Sequence, residues 1–281
     1  MKLASYLAGG KPVFGAVIGD GVVTMNERLN GRFPTLRDAL AGGAVDEMRE
    51  AAKGAQADHK LADIRFLPAV PNPQKILCVG INYRSHAAEH GGEAPALPNI
   101  FTRFVDTLVA HEEPMTRPSV STNFDYEGEL ALVIGKGGRY IKPADALGYI
   151  AGYTCFCDAT VRDFTKYSLI SAKNFPGSGP LGPWIVTADE IPDPSKLVLQ
   201  TRLNGQEMQK SGTDMLIHDI PSIIAFCSKF TRLSAGDIIA TGTPDGIGAK
   251  RTPPVWMKAG DVLEVEISGI GTLRNTIADE K

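Results

Sequence analysis

The sequence predicts a β-rich α+β protein carrying a small N-terminal α+β unit, and three observations lead there. Apolar runs are short and mostly bounded by glycine, which reads as buried strands rather than long helices. Only one stretch, Ile220 to Phe230, has clear helical character. The cluster Pro68-Ala-Val-Pro71-Asn-Pro73 can be neither helix nor central strand. It reads as a linker, separating a unit over 1–70 from a larger one over 71–281. With 281 residues, 43% of them hydrophobic, the chain can bury a large core.

The elements follow in order. Val13 to Ile18 and Val22 to Met25 flank Gly19-Asp20-Gly21, the pattern of a β-hairpin around an Asp-Gly turn. Thr35 caps a helix from Leu36 to Ala41, and Ala44 to Lys53 has helical composition. The first residues resemble the start of a signal peptide, but Gly9, Gly10, Lys11 and Pro12 break the apolar run and exclude that reading. Beyond the linker, Ile76 to Gly80 is a buried strand, and Ser85 to His90 makes one or two helical turns stopped by Gly91 and Gly92. Leu130 to Ile134 is a second buried strand, and Tyr149 to Cys157 alternates weakly among β-formers. Strands are also expected at Leu197 to Leu203, Ile238 to Thr241 and Val262 to Ile267.

Composition excludes several classes. With 29 Lys and Arg against 32 Asp and Glu, the net charge is −3, which is not that of a basic nucleic-acid-binding domain. No apolar run approaches the ~18 residues of a membrane span. Four cysteines make no disulfide framework, and Cys155 and Cys157 have no second close pair to complete a zinc ribbon. These features are expected of a reduced, cytoplasmic protein.

The strongest chemical signal is Asp125-Tyr126-Glu127-Gly128-Glu129, leading into the strand from Leu130. Residues i and i+2 of a strand face the same way, so Glu127 and Glu129 present two carboxylates together. Such a pair calls for a positive partner, and a hard divalent cation fits oxygen donors. A solvated strand end with two exposed glutamates is the alternative. Asp158, at a strand-to-helix transition, supplies a third carboxylate, or else a helix N-cap. His86 and Glu89 share a helical face at i, i+3, where the carboxylate can orient the imidazole as a base. Gly91 and Gly92 would let this helix move as a lid. His86-Ala-Ala-Glu89-His90 also matches an inverted zinc-protease signature, but the early glycines deny it the stable helix a zincin needs. Lys173, in a Gly- and Pro-rich stretch, could stabilise an enolate. Gly177 to Gly182 nominally matches a dinucleotide fingerprint, yet Pro180 lies inside it and no helix follows. Thr241-Gly-Thr-Pro-Asp-Gly-Ile-Gly248 exposes backbone N–H groups and a hydroxyl suited to gripping a carboxylate.

Together these residues resemble the fumarylacetoacetate hydrolase family, in an acylpyruvase-like, bacterial-type form. The match runs in order from about Lys75 to Asn275. It includes Val79-Gly-Ile-Asn-Tyr-Arg-Ser-His86, Tyr126-Glu-Gly-Glu-Leu-Ala-Leu-Val-Ile-Gly135, Pro180-Leu-Gly-Pro-Trp-Ile-Val186 and Gly269-Ile-Gly-Thr-Leu-Arg-Asn275. The resemblance implies a mixed β-sandwich roll, a homodimer, and a Mg²⁺ or Mn²⁺ site on Glu127, Glu129 and Asp158. It implies catalytic roles for His86, Glu89 and Lys173, and substrate binding by Arg103, Arg162, Gly242 and Thr243. Its members act on small 2-oxo acids, with no nucleic-acid or membrane partner. The implied activity is C–C bond hydrolysis of a 2,4-dioxo acid of the acylpyruvate type, for which the His–Glu pair activates water. Decarboxylation, hydration or isomerisation of a 2-oxo dicarboxylate such as oxaloacetate is the alternative within the family, and a non-catalytic binding protein the alternative outside it. One departure bears on the choice: many members carry glutamine, an aid to the lysine in holding an oxyanion, where this chain has Thr165.

Overall fold

The computed structural model describes residues 1–281. Its first residues form β1 (Lys2–Ala8), β2 (Lys11–Ile18) and β3 (Gly21–Thr24), an antiparallel meander. The expected hairpin is therefore present, joined by an additional strand. Gly9 and Gly10, which break the leader-like run, are the two-residue turn between β1 and β2, both at positive φ. Then come α1 (Leu36–Ala41), α2 (Val45–Ala52) and the short β4 (His59–Lys60) and β5 (Arg65–Phe66). Thr35 and Asp38 cap α1 reciprocally, each side chain accepting the other's backbone N–H.

The rest of the chain adds β6 (Ile76–Gly80), α3 (Arg84–Glu89), β7 (Asn99–Arg103), β8 (Leu108–Val109), β9 (Met115–Arg117) and β10 (Phe124–Asp125). After these come β11 (Gly128–Ile134), β12 (Ile150–Cys157), β13 (Thr160–Val161), α4 (Leu169–Lys173) and β14 (Gly179–Thr187). The last elements are β15 (Val198–Leu203), β16 (Gln206–Gly212), α5 (Ile220–Phe230), β17 (Ile238–Ala240), β18 (Val262–Ile267) and β19 (Gly271–Asp279). The segment that nominally matches a dinucleotide fingerprint runs into β14 and forms no phosphate loop. No helix is long and apolar enough to cross a membrane.

The main sheet runs β4-β3-β2-β1-β14-β12-β11-β17-β6-β7, and a second runs β16-β15-β18-β19-β9. The architecture is thus the β-rich α+β arrangement the sequence predicts. Strand β11 lies between the two cores. Leu130, Leu132 and Ile134 join a cluster with Leu199, Val265 and Leu273 of the second sheet. Ala131 and Val133 face the other way, into a cluster with Leu3, Phe14, Leu36 and Met48. Burial on both faces explains its uninterrupted apolar sequence. Gly128 permits close approach of the two sheets, since a Cβ there would lie 2.1 Å from Thr201 Oγ1.

The unit over 1–70 does not stand apart. β1 pairs with β14 through Lys2↔Val186 and Leu3↔Ile185, and its side chains share a core with Ile185 and Ile238. The proline linker crosses this structure without dividing the core. Phe14→Ala, which hollows the shared cluster, should cost about 3–5 kcal/mol. It should lower the unfolding midpoint reported by Trp184 and Trp256, both outside 1–70. An unchanged tryptophan transition would show that the N-terminal unit melts by itself.

Candidate active site

Antiparallel register builds the site. Gly128 pairs with Cys157 and Glu129 with Phe156, which sets Asp158, just past the end of β12, beside Glu127. The Asp158 N–H donates to the Glu127 carbonyl at 2.8 Å. The side chains of Glu127, Glu129 and Asp158 converge, each offering a carboxylate oxygen within 4.8 Å of the others. They are only 6%, 2% and 1% exposed, which excludes a solvated strand end.

Cations surround the trio. Lys173, the last residue of α4 and not part of a loop, is buried with Nζ 2.7 Å from Glu127 Oε2 and 2.6 Å from Asp158 Oδ2. Arg162 donates through Nε to Asp125 Oδ2 at 2.8 Å and through Nη2 to Glu127 Oε1 at 2.5 Å. Burial opposes the Lys173 ammonium, but Asp158 and Glu127 outweigh it and raise its pKa, fixing the charge. Burial likewise opposes the Glu127 carboxylate, yet Lys173 and Arg162 hold its pKa below the ordinary range. No cation pairs directly with Glu129: burial first, then the Asp158 charge, push its pKa well up against the opposing pull of Lys173.

Arg103 departs from expectation. It does not line the cavity. Its guanidinium is buried behind Asp158, donating to Oδ1 at 2.7 Å, to the Ala159 carbonyl at 3.0 Å and to Ser178 Oγ at 2.6 Å. It positions the aspartate. Gly242 and Thr243 also differ from the expected carboxylate grip. The Gly242 N–H donates to Glu129 Oε2 at 2.8 Å, at a φ of +105° where a Cβ would press on Asn82. Thr243 lines the cavity, but its hydroxyl donates to the Gly128 carbonyl at 2.9 Å and accepts from Gln209 Nε2 at 2.8 Å.

The expected dyad is assembled on α3, with His86 Nδ1 3.0 Å from Glu89 Oε2. Glu89 Oε1 accepts the Gly246 N–H at 2.9 Å, tying the helix to the loop after β17. Asn82 anchors the base of α3, donating to the Thr241 and His218 carbonyls. The sequence reading missed Asn82, Gln209 and Asp125. Asp125 is buried and accepts from the Gly248 and Ala249 N–H groups as well as Arg162. Its place two residues before Glu127 was the available signal; Gln209 has none nearby.

All of this opens on one cavity of about 280 Å³, into which His86, Lys173, Arg162 and the trio project. The trio fits a hard divalent cation, being three oxygen donors on rigid backbone. Asp158 Oδ2 is buried and meets only the Lys173 ammonium, 2.6 Å away, so a lone pair is left for a ligand.

Residues 75–278 match the family model described as fumarylacetoacetate (FAA) hydrolase C-terminal. The chain belongs to the fumarylacetoacetate hydrolase family. It is 38% identical over 259 residues to a mitochondrial oxaloacetate tautomerase, fahd2, of Xenopus laevis, covering 89% of this chain and 81% of that one. It is 40% identical over 225 residues to the oxaloacetate tautomerase YisK of Bacillus subtilis, covering 78% of this chain and 75% of YisK. A maleylpyruvate hydrolase of Sphingobium sp. SYK-6, solved with manganese(II) ion and pyruvate, superposes with a TM-score of 0.84 at 30% identity over all of both chains. The fumarylacetoacetate hydrolase family thus includes both isomerases and hydrolases among the relatives of this chain.

Two predictions follow from the charges. Mn²⁺ at a hundredfold excess over its Kd should stabilise the chelator-treated protein by about 2.7 kcal/mol. Glu129→Gln should abolish that gain without lowering the metal-free Tm. The sign follows from linkage: a carboxyl whose pKa is raised by folding stabilises the fold at low pH and loses that contribution as pH climbs through the raised pKa. Above the ordinary carboxylate pKa the metal-free fold therefore bears the cost of keeping a proton, or else an unpaired charge, on Glu129, and glutamine removes it. A lower metal-free Tm in Glu129→Gln would contradict this. Arg103→Met leaves the buried Asp158 without its partner and should cost about 3–5 kcal/mol. It should also weaken Mn²⁺ binding about 10–100-fold, read by calorimetric titration.

Proposed function

We propose that this chain is a divalent-metal-dependent enzyme of compact 2-oxo acids, moving a proton at the carbon next to the 2-oxo group and so interconverting keto and enol forms of an oxaloacetate-type substrate. Glu127, Glu129 and Asp158 would hold Mg²⁺ or Mn²⁺. When bound, the cation supplies positive charge that polarises the 2-oxo carboxylate. The chain's own groups divide the remaining work. Lys173 stays an ammonium and steadies negative charge that develops on the 2-oxo oxygen. His86, oriented through Nδ1 by Glu89, has Nε2 left to take and return the proton. Arg162, with one edge on Glu127 and Asp125, turns its remaining donors to the anionic substrate.

The observation that carries the choice is at Thr165. It lines the cavity at the position where the family resemblance leads one to expect glutamine, and its hydroxyl donates to the Arg162 carbonyl at 2.7 Å. It therefore offers no proton to a tetrahedral oxyanion, which C–C hydrolysis must form and enolisation does not. The cavity, at about 280 Å³, lies just below the ~300–1,000 Å³ usual for ligand pockets and suits a short acid. The oxaloacetate tautomerases among the relatives support the same reading. Hydrolysis of an acylpyruvate is the second reading, favoured by the His86–Glu89 pair, which is equally placed to activate water.

With Mg²⁺ or Mn²⁺ present, the protein should accelerate decay of the oxaloacetate enol absorbance and release little pyruvate from acylpyruvates. His86→Ala should slow enol decay about 10²–10⁴-fold. Lys173→Met should lower kcat by roughly 10²–10³. Efficient pyruvate release, with a kcat/KM above that for enol decay, would favour the hydrolase instead.

A further inference from the structure

A second donor set lies on the helix that carries the dyad. His86, Glu89 and His90 each offer one ligand atom within 4.8 Å of the other two. Their i, i+3, i+4 spacing follows one face of α3 into its C-cap, where His90 keeps helical backbone angles of −82° and −1°. The two imidazoles stand edge to face with centroids 4.6 Å apart. Burial is graded from His86, buried, through Glu89 to His90, exposed, so the cluster opens to solvent along one side. An ion has a path of entry there.

The chemistry differs from that of the trio. Two imidazoles and a carboxylate, with a position open to water, are a donor set for zinc and for nickel, which imidazole suits, whereas Mg²⁺ prefers oxygen. We propose that His86, Glu89 and His90 form a second metal site, selective for Zn²⁺ or Ni²⁺ over Mg²⁺, whose occupation removes His86 from proton transfer. The signature-like spacing of these residues thus serves a metal that inhibits, with no protease chemistry. Binding is independent of which 2-oxo acid is turned over; only the inhibition rests on the role of His86 proposed above.

Equilibrium dialysis of Zn²⁺ in excess Mg²⁺ tests the site with wild type, His90→Gln and Glu129→Gln. Because His90 is exposed, its replacement leaves the fold intact. Wild type and Glu129→Gln should each hold a Zn²⁺ equivalent that His90→Gln loses. The affinity should fall by more than the about 10–100-fold that loss of an outer-sphere partner costs. X-ray absorption on zinc-loaded Glu129→Gln should show scattering from two imidazoles. Equal Zn²⁺ stoichiometry and affinity in wild type and His90→Gln would overturn the site. In the rate arm, Zn²⁺ should inhibit the Mg²⁺-supported reaction of wild type far more than that of His90→Gln, each relative to its own zinc-free rate. Zinc held at α3 with turnover unaffected would overturn the inhibition and the reading of His86 as proton carrier, while dialysis alone decides the site.

Discussion

Four carboxylates, Asp125, Glu127, Glu129 and Asp158, are buried within one small volume against three cations, Arg103, Arg162 and Lys173. Desolvating charge costs several kcal/mol per ion, so such a cluster persists only when it is closely paired. The pairing alternates along a chain: Asp125 to Arg162, Arg162 to Glu127, Glu127 to Lys173, Lys173 to Asp158, Asp158 to Arg103. One negative charge is left over, and it falls on Glu129, the carboxylate with no cation of its own and a raised pKa. A proton on Glu129 and a divalent cation between the three carboxylates are alternative ways to meet the same deficit. Cation binding and proton release are therefore coupled at this position.

The fold makes that arrangement unavoidable once the strands pair. The β11–β12 register fixes the three acids, and the β11–β17 and β17–β6 pairings bring two further loops to the same end. The loop after β17 supplies the Gly242 N–H to Glu129, and the segment after β6 supplies Asn82 and α3. Asn82 bonds across from one loop to the other at the Thr241 carbonyl. The helix carrying His86 is thus held at its start by the main sheet and at its end by Glu89 on Gly246.

What the sequence made legible follows from locality. The Glu127–Glu129 pair, the dyad and the strands expected at Ile76–Gly80 and Leu130–Ile134 are dense local patterns; both strands lie there, the second starting two residues earlier, at Gly128. β14 was unreadable because Gly179, Pro180, Gly182 and Pro183 spell a loop; its place beside β1 and β12 overrides that local preference. Lys173 ends a helix whose N-cap, Ser168, lay among residues without helical periodicity. Arg103 and Thr243 make contacts the sequence does not show, for a different reason. Their residue types suit an anion, but their donors are spent on Asp158 and on the Gly128 carbonyl, partners far away in sequence. Residue type signals capacity for a contact, and only the tertiary structure shows which contact uses it.

This distribution bears on how one scaffold supports different reactions. The inner wall of the cavity is committed: Lys173 lines it, and Arg103 and the Gly242 N–H, set behind the acids, help to hold them. Altering any of them disturbs the charge balance itself, so this wall can stabilise an enolate but has little freedom to vary. The outer wall carries His86, Thr165, Phe101 and Leu169, none of which pairs with the trio's carboxylates by a hydrogen bond or salt bridge. A change there redirects the reaction without cost to the buried charges. On the reading proposed above His86 is the proton carrier of that wall, which His90 also lines, and the Thr165 hydroxyl is turned onto the Arg162 carbonyl. An enolate held by the inner wall has a partner for reprotonation at carbon, and a tetrahedral oxyanion forming beside Thr165 finds no donor from it.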